Sequence, residues 1–466
     1  MKRSDNWLLN TPRERRRRNP PARRLRGLAV LTAGLLLAVT ACSNSSGKVA
    51  DTSDAGVSGG AQGTAAGPGV TDSEIRFAML GTKSNNPLGT CILDCFASGV
   101  NAYFAYRNSE GGVHGRKLVV AETVDDQLGK NQQEALKIVS ANNTFGTFSA
   151  PLLATGFGAF AEAGVPLYAL PANASDMVGK DSAFSSTGSF CIECTQTYWS
   201  YIAKLAGATR IAALGIGVAA PSKNCANGVV RSIETFGGKF GQKVVYMNDT
   251  LAYGLPNGAG PEVTAMKNAG VQLVIGCIDL NSMKTFSQEM ERQGVGDVPM
   301  VHQNTYDQKF VAAGGDLFEG DYVLPRFRPF EADAGSSGLK TFSTWMKKAG
   351  SELTEYAMLG WIDADLAYQG IKAAGPSFTR ASVIAATNRM TNYSADGLID
   401  PIDWSRQHEP PTEADPVTHG YKQECITLVK VHNGRFEPVG DPKKPFICWP
   451  VTKERTWSEP TFTNFT

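Results

Sequence analysis

The chain has 466 residues and a formal net charge of +1 at pH 7, with 45 Lys and Arg against 44 Asp and Glu. Much of the positive charge lies ahead of Gly27, so the remainder is mildly acidic. It shows no basic stripe with interleaved aromatics, which argues against a nucleic-acid partner. The length exceeds what one ordinary core supports and predicts two domains.

The opening residues are basic, at Arg13 to Arg18 and again at Arg23 to Arg26. An apolar run from Gly27 to Ala41 follows, shorter than the roughly 20 residues needed to cross a bilayer. This order of basic front, short apolar middle and small residues reads as a secretory signal over residues 1–41. Val39-Thr40-Ala41-Cys42 resembles a bacterial lipobox, which implies cleavage before Cys42 and acylation of its thiol. From Ser43 to Gly69 the chain is mostly Ser, Gly, Ala, Asp and Thr. Such a stretch has too little to bury to offset its ordering entropy. Residues 42–70 therefore read as a lipidated cysteine and a flexible tether on a membrane surface.

The sequence holds nine cysteines, eight without Cys42. An even number in an exported chain predicts disulfides. Cys91 with Cys95 and Cys191 with Cys194 are close neighbours, and proximity suggests Cys225 with Cys277 and Cys425 with Cys448. Eight cysteines admit many connectivities, so the pairing stays open. C-x-x-C is also zinc spacing, but Cys191-x-x-Cys194 has no histidine near it, and no metal is expected.

From Val70 onward strand and helix patterns alternate. EIRFAML (Glu74 to Leu80) predicts a buried strand, and ASGVNAYFAYRNSEGG a helix stopped at Gly111-Gly112. A strand RKLVVAETV, a helix QQEALKIVSAN, a strand TFGTFSAP, a helix GFGAFAEAG and a strand VPLYALP follow. The alternation restarts after about Phe190 with the helix TQTYWSYIAKLAG and the strand TRIAALGIG. It continues with a helix GVVRSIETFGG, a strand QKVVYMN, a helix GPEVTAMKNAG, a strand VQLVIGC, a helix SMKTFSQEMERQG and a strand VPMVHQN. Such repeats predict an α/β fold of two Rossmann-like lobes with parallel sheets.

Sheets of this kind take ligands at the carboxyl ends of their strands. That rule nominates Gly81 to Asn86, Pro151 to Thr155, Pro171 to Ser175, Val218 to Asn224, Ile278 to Asn281 and Asn304 to Asp307. No zinc-protease, nucleophile-elbow, phosphate-loop or dinucleotide signature occurs. Asp125-Asp126 reads as a loop and helix start rather than a catalytic pair. His302, at a strand end, reads as a hydrogen-bonded structural residue. No reaction and no cofactor is predicted.

Several stretches in order resemble a known family. They are VTDSEIRFAMLGTKSNN, Asn108 to Lys117 (NSEGGVHGRK), Val124-Asp125-Asp126-Gln127, Ala163-Gly164-Val165-Pro166, AMLGWIDADLAYQGIKAAG (Ala357 to Gly375) and VKVHNGRFEPV (Val429 to Val439). From about Val70 to Pro438 the chain resembles a type I periplasmic solute-binding protein of the branched-chain amino acid class that serves ABC importers. The resemblance implies a hinge crossed three times, near Phe190, Tyr322 and Trp404. It apportions residues 71–190 and 323–404 to the first lobe, 191–322 and 405–450 to the second, and 451–466 to a tail. It implies a small-molecule ligand between the lobes, an ABC permease as partner and a monomeric receptor; an extracellular sensor on the same fold is the alternative.

The nominated ligand residues are Ser84, Asn85, Thr155, Asn173 and Ser175 in lobe one, and Asn224, Asp279, Asn281, Asn304 and Tyr306 in lobe two. Here the chain departs from the family. In Ala150-Pro151-Leu152-Leu153-Ala154-Thr155, leucine and alanine stand where a hydroxyl is expected, with Thr155 as a substitute one position later, and Ser282 stands where an acid meets the ligand ammonium. Asp279 is a replacement acid or a cap for the following helix. Leu152-Leu153 face either a less polar ligand or the core, and Tyr198, Tyr306 and Trp361 are apolar-wall or core residues.

Overall fold

The computed structural model describes residues 67–192, 194–303, 306–335, 337–410, 423–452 and 454–466. The signal, Cys42 and nearly all of the tether lie outside the described residues.

Lobe one begins with β1 (Glu74–Gly81), α1 (Leu93–Ser109), β2 (Lys117–Asp125), α2 (Asn131–Ala141), β3 (Gly146–Ala150), α3 (Phe157–Glu162), β4 (Leu167–Ala169), β5 (Ala172–Asn173), α4 (Ala174–Met177), β6 (Ala183–Ser185) and β7 (Ser189–Phe190). Lobe two follows with α5 (Thr197–Leu205), β8 (Arg210–Ile216), α6 (Ala220–Phe236), β9 (Lys243–Leu251), α7 (Gly260–Asn268), β10 (Leu273–Cys277), α8 (Leu280–Arg292), β11 (Met300–His302), α9 (Gln308–Gly314) and β12 (Tyr322–Val323). The chain then returns to lobe one as α10 (Gly338–Lys348), α11 (Glu355–Ala374) and α12 (Arg380–Thr387). It closes in lobe two with β13 (Gln423–Thr427), β14 (Val429–His432), β15 (Arg435–Pro438), β16 (Phe446–Pro450) and β17 (Thr461–Thr463).

The first sheet has the order β2-β1-β3-β4-β6 and is parallel throughout. The second has the order β15-β14-β12-β11-β10-β8-β9. It is parallel from β9 to β12 and ends in an antiparallel hairpin. Asn433 and Gly434, both at positive φ (51° and 67°), turn that hairpin. β13, β16 and β17 make a small antiparallel sheet beside lobe two.

Lobe two shows how the strand pattern builds a two-faced core. Ile211 and Ala213 of β8 join one hydrophobic cluster with Leu273, Ile275 and Trp199. Ala212, Leu214 and Ile216, on the alternate face, join another with Val274, Met283 and Phe286. In lobe one, Phe77, Phe104 and Phe148 pack at the centre with tilted and edge-on rings. That cluster runs on through Tyr306, Phe327 and Phe436 to the edge strands of lobe two.

The first passage between lobes follows β7 and the second follows β12. Trp404, near which a third crossing is expected, packs edge-to-face on Phe184 of lobe one, with ring centroids 5.2 Å apart. His408 still pairs with Asn388 at 3.0 Å, so the chain stays with lobe one to that point and enters lobe two at Gln423. The C-terminal residues turn back onto lobe one. Asn464 accepts a hydrogen bond from Arg328, and a Cβ placed on Gly397 would lie 2.7 Å from the Thr466 side chain.

One helix starts earlier than expected. Val218 to Asn224 reads as a loop, yet α6 begins at Ala220 with Pro221 in its first turn. Proline is tolerated there because that N–H has no intrahelical partner. Four disulfides form: Cys91–Cys95, Cys191–Cys194, Cys225–Cys277 and Cys425–Cys448. No helix among the described residues is long and apolar enough to cross a membrane.

Candidate functional site

The nominated residues of lobe one lie on the loops that leave β1, β3 and β4, and those of lobe two that are described lie chiefly after β8 and β10. In lobe one, the backbone N–H groups of Lys83 and Ser84 donate to the Asp125 carboxylate at 3.0 and 3.1 Å. Burial pushes that carboxyl up, but the bonds from Ser84, Gln127 and Lys83 outweigh it and hold the group at about 2. The neighbouring Asp126 is buried and accepts from Leu128 N–H and Asn131 Nδ2. Both carboxylates therefore shape the loop. The Leu152 N–H donates to Thr82 Oγ1 at 3.1 Å, which ties the β3 loop to the β1 loop.

Ser84, Asn85, Thr155 and Ser175 are exposed on this lobe. Asn85 takes a positive φ of 59°, and its amide donates to Gln127 O at 3.3 Å. Asn173 is half-buried, and its Oδ1 has no hydrogen-bond partner among the described residues. The two leucines divide: Leu152 packs on the core of lobe one, while Leu153 is 45% exposed.

In lobe two, Asp279 is buried and caps α8. It accepts from Ser282 N–H at 3.0 Å, from Ser282 Oγ at 2.5 Å and from Gly254 N–H at 3.2 Å. Of its two expected roles, the structure shows the cap. Asn224 and Asn281 are exposed, and Asn304 lies outside the described residues. Asn281 meets the lobe-one loop, since a Cβ on Gly89 would lie 2.7 Å from its Nδ2. The two sets of loops therefore face each other. Tyr306 is buried, not exposed to a cleft: it packs on Phe327, Phe330 and Phe436, and its hydroxyl bonds Glu331 and accepts from Phe330 N–H. Trp361 is core, packed on Tyr103 and Phe342. His302 is held by Asp321 at 2.7 Å, as a structural histidine is.

A second cavity, of about 110 Å³, lies at the hinge. Thr187 and Ser189 line it from the first passage, Arg326 from the second, Asp400 from lobe one and Glu424 from β13; Tyr198 and Gln303 complete the wall. Glu424 accepts the N–H groups of Thr197 and Tyr198, both at 3.1 Å, at the start of α5. Of these residues only Tyr198 drew notice in the sequence. The signal that could have found Arg326 is its place in Pro325-Arg326-Phe327-Arg328-Pro329, a charge framed by apolar residues. No group of three or more His, Cys, Asp or Glu suited to a metal occurs among the described residues.

Two parallel-sheet lobes, three passages and a facing loop-lined cleft define a type I periplasmic binding fold. The sequence profile of the periplasmic binding protein family matches residues 74–434, and the chain belongs to that family. Among solved structures, it is similar to a fatty acid ABC transporter substrate-binding protein from Thermomonospora curvata. The TM-score is 0.63 at 16% identity, over 85% of this chain and 97% of the other. It is also similar to the branched-chain amino acid transporter substrate-binding protein LivJ from Streptococcus pneumoniae in complex with isoleucine, at TM-score 0.60 and 16% identity, over 79% and 99%. A substrate-binding protein from Desulfitobacterium hafniense in complex with Leu gives 0.59 at 16% identity, over 79% and 100%. Comparison with curated protein sequences returns no match.

Proposed function

We propose that this protein is an exported, lipid-anchored receptor that captures a small solute between its lobes and delivers it to an ABC permease. Family membership across residues 74–434 supports the receptor role, and the segment around Cys42 supports the anchor. Closure follows from a ligand touching both lobes, because differential contact favours the closed state. Ser84, Asn85, Thr155, Asn173 and Ser175 would meet the ligand from lobe one, with Asn224 and Asn281 opposite. Lipidation needs more than one acyl chain for stable anchoring.

The ligand we infer is less polar than an amino acid and lacks an α-ammonium group. The observation that carries this is Asp279. Both of its carboxylate oxygens already serve Ser282 and Gly254, so it does not stand ready for a ligand cation. Leu153, exposed beside Thr155, supplies apolar surface at the same rim. The similarity to a fatty acid ABC transporter substrate-binding protein supports this reading.

A thermal-shift screen tests the reading. Straight-chain carboxylic acids should raise the melting temperature, as ligand binding to the folded state stabilises by about 2.7 kcal/mol at 100 times Kd. Leucine, isoleucine and valine should leave it unchanged. A clear rise with leucine and none with aliphatic acids would reverse the assignment.

A further inference from the structure

The hinge cavity is distinct from the cleft, since none of the nine described residues nominated for the cleft lines it. Residues from the first two passages and from the re-entry of the chain at β13 line it together, so its shape depends on the angle between the lobes. Ser189 on its wall is fully buried, and its Oγ has no partner among the described residues.

The charges around it are unequal. Of the lining residues, Arg326 acts by its charge on Asp400 and also on Glu355 at the start of α11, and Glu424 feels the charge of Arg455. Asp307 and Tyr198 add no positive charge. Burial pushes Asp400 up to about 7 and Glu355 to about 8, and Arg326 offsets this only in part. Among the described residues, one guanidinium between two half-buried carboxyls leaves a demand for positive charge.

We propose that the hinge cavity is a second binding site, for a small molecule carrying a protonated amine held by Asp400 and the Ser189 hydroxyl. An ammonium group has three donors and no acceptor, which suits a carboxylate and the Ser189 and Thr187 hydroxyls. An anion would add negative charge beside Asp400 and Glu424. An occupant that touches several hinge segments shifts the balance between open and closed lobes. This goes beyond the cleft reading and does not rest on it.

The test is calorimetric titration of the full chain with three isosteric probes: ethanolamine, ethylene glycol and glycolate. Ethanolamine should bind and the other two should not. Asp400→Asn should weaken ethanolamine binding at least about tenfold and Ser189→Ala several-fold. A proton competes with the amine at Asp400, so affinity should rise about tenfold per pH unit from pH 5 towards 7 and level off above. Should Asp400→Asn fail to fold, as read by circular dichroism, Ser189→Ala and the pH profile decide. Absence of ethanolamine binding up to about 50 mM, equal binding of glycolate, or binding that ignores pH and Ser189→Ala would overturn the proposal. Unchanged affinity in both Asp400→Asn and Ser189→Ala would place the amine elsewhere, also against it.

Discussion

Asp279 shows how one residue type serves two trades. Asp-x-x-Ser ahead of an apolar run is a capping signature, and the same Asp sits on a loop where a ligand acid is expected. Only the folded chain separates these, because Ser282 and the Gly254 N–H converge on the carboxylate. Asp279→Ala should therefore cost about 1–2 kcal/mol in chemical denaturation, from the lost cap and the stranded Ser282. It should leave cleft affinity within about twofold by calorimetry, since the carboxylate is committed elsewhere. An unchanged melt with a large loss of affinity would return Asp279 to the site. The hinge cavity was hidden for another reason. Thr187, Arg326, Asp400 and Glu424 come from four distant stretches, and no local pattern relates them.

At the scale of elements, the sequence was most informative where periodicity is strong. EIRFAML became β1, VQLVIGC gave β10, and Ala357 to Gly375 lies almost wholly within α11. Parallel sheets buried on both faces demand such runs. What periodicity does not announce is how closely two helices approach. α1 and α11 touch through glycines: a Cβ on Gly99 would lie 1.8 Å from Ala357 O, and one on Gly360 would lie 2.2 Å from Phe96 O. Those obstacles are backbone atoms and cannot swing aside. On an exposed helix, Gly→Ala stabilises by about 1 kcal/mol. Here Gly99→Ala should destabilise by about 1–3 kcal/mol or more, read as a fall in denaturation midpoint, because the helices must part. A stabilised variant would show that the contact can relax.

Over the whole molecule, three of the disulfides among the described residues brace one side of the cleft each, and Cys191–Cys194 closes a short loop in the first passage. Cys91–Cys95 sits at the start of α1, Cys225–Cys277 joins α6 to β10, and Cys425–Cys448 spans β13 and β16. No disulfide among the described residues crosses from one lobe to the other, so hinge motion is left unlocked by covalent chemistry. The Cys225–Cys277 bond closes a sequence separation of 52 residues and should contribute roughly 4 kcal/mol through the unfolded chain. Replacing both with Ala should lower the unfolding free energy of lobe two by about that amount while ligand affinity in the cleft persists. An equal loss of binding would mean that the bond positions the loops rather than only restraining the unfolded chain. Proximity explains Cys91–Cys95 and Cys191–Cys194, because near neighbours reach each other without long-range folding; Cys225 and Cys277, 52 residues apart, meet only because the fold sets α6 beside β10.

The tail changes what that freedom means. Thr461–Thr463 pairs with β16 beside lobe two, while Asn464 and Thr466 reach Arg328 and Gly397 of lobe one. A strip fastened at both sides behaves as a guy-rope. Spreading the jaws would have to break the bond between Arg328 and Asn464 or carry β17 along with lobe one.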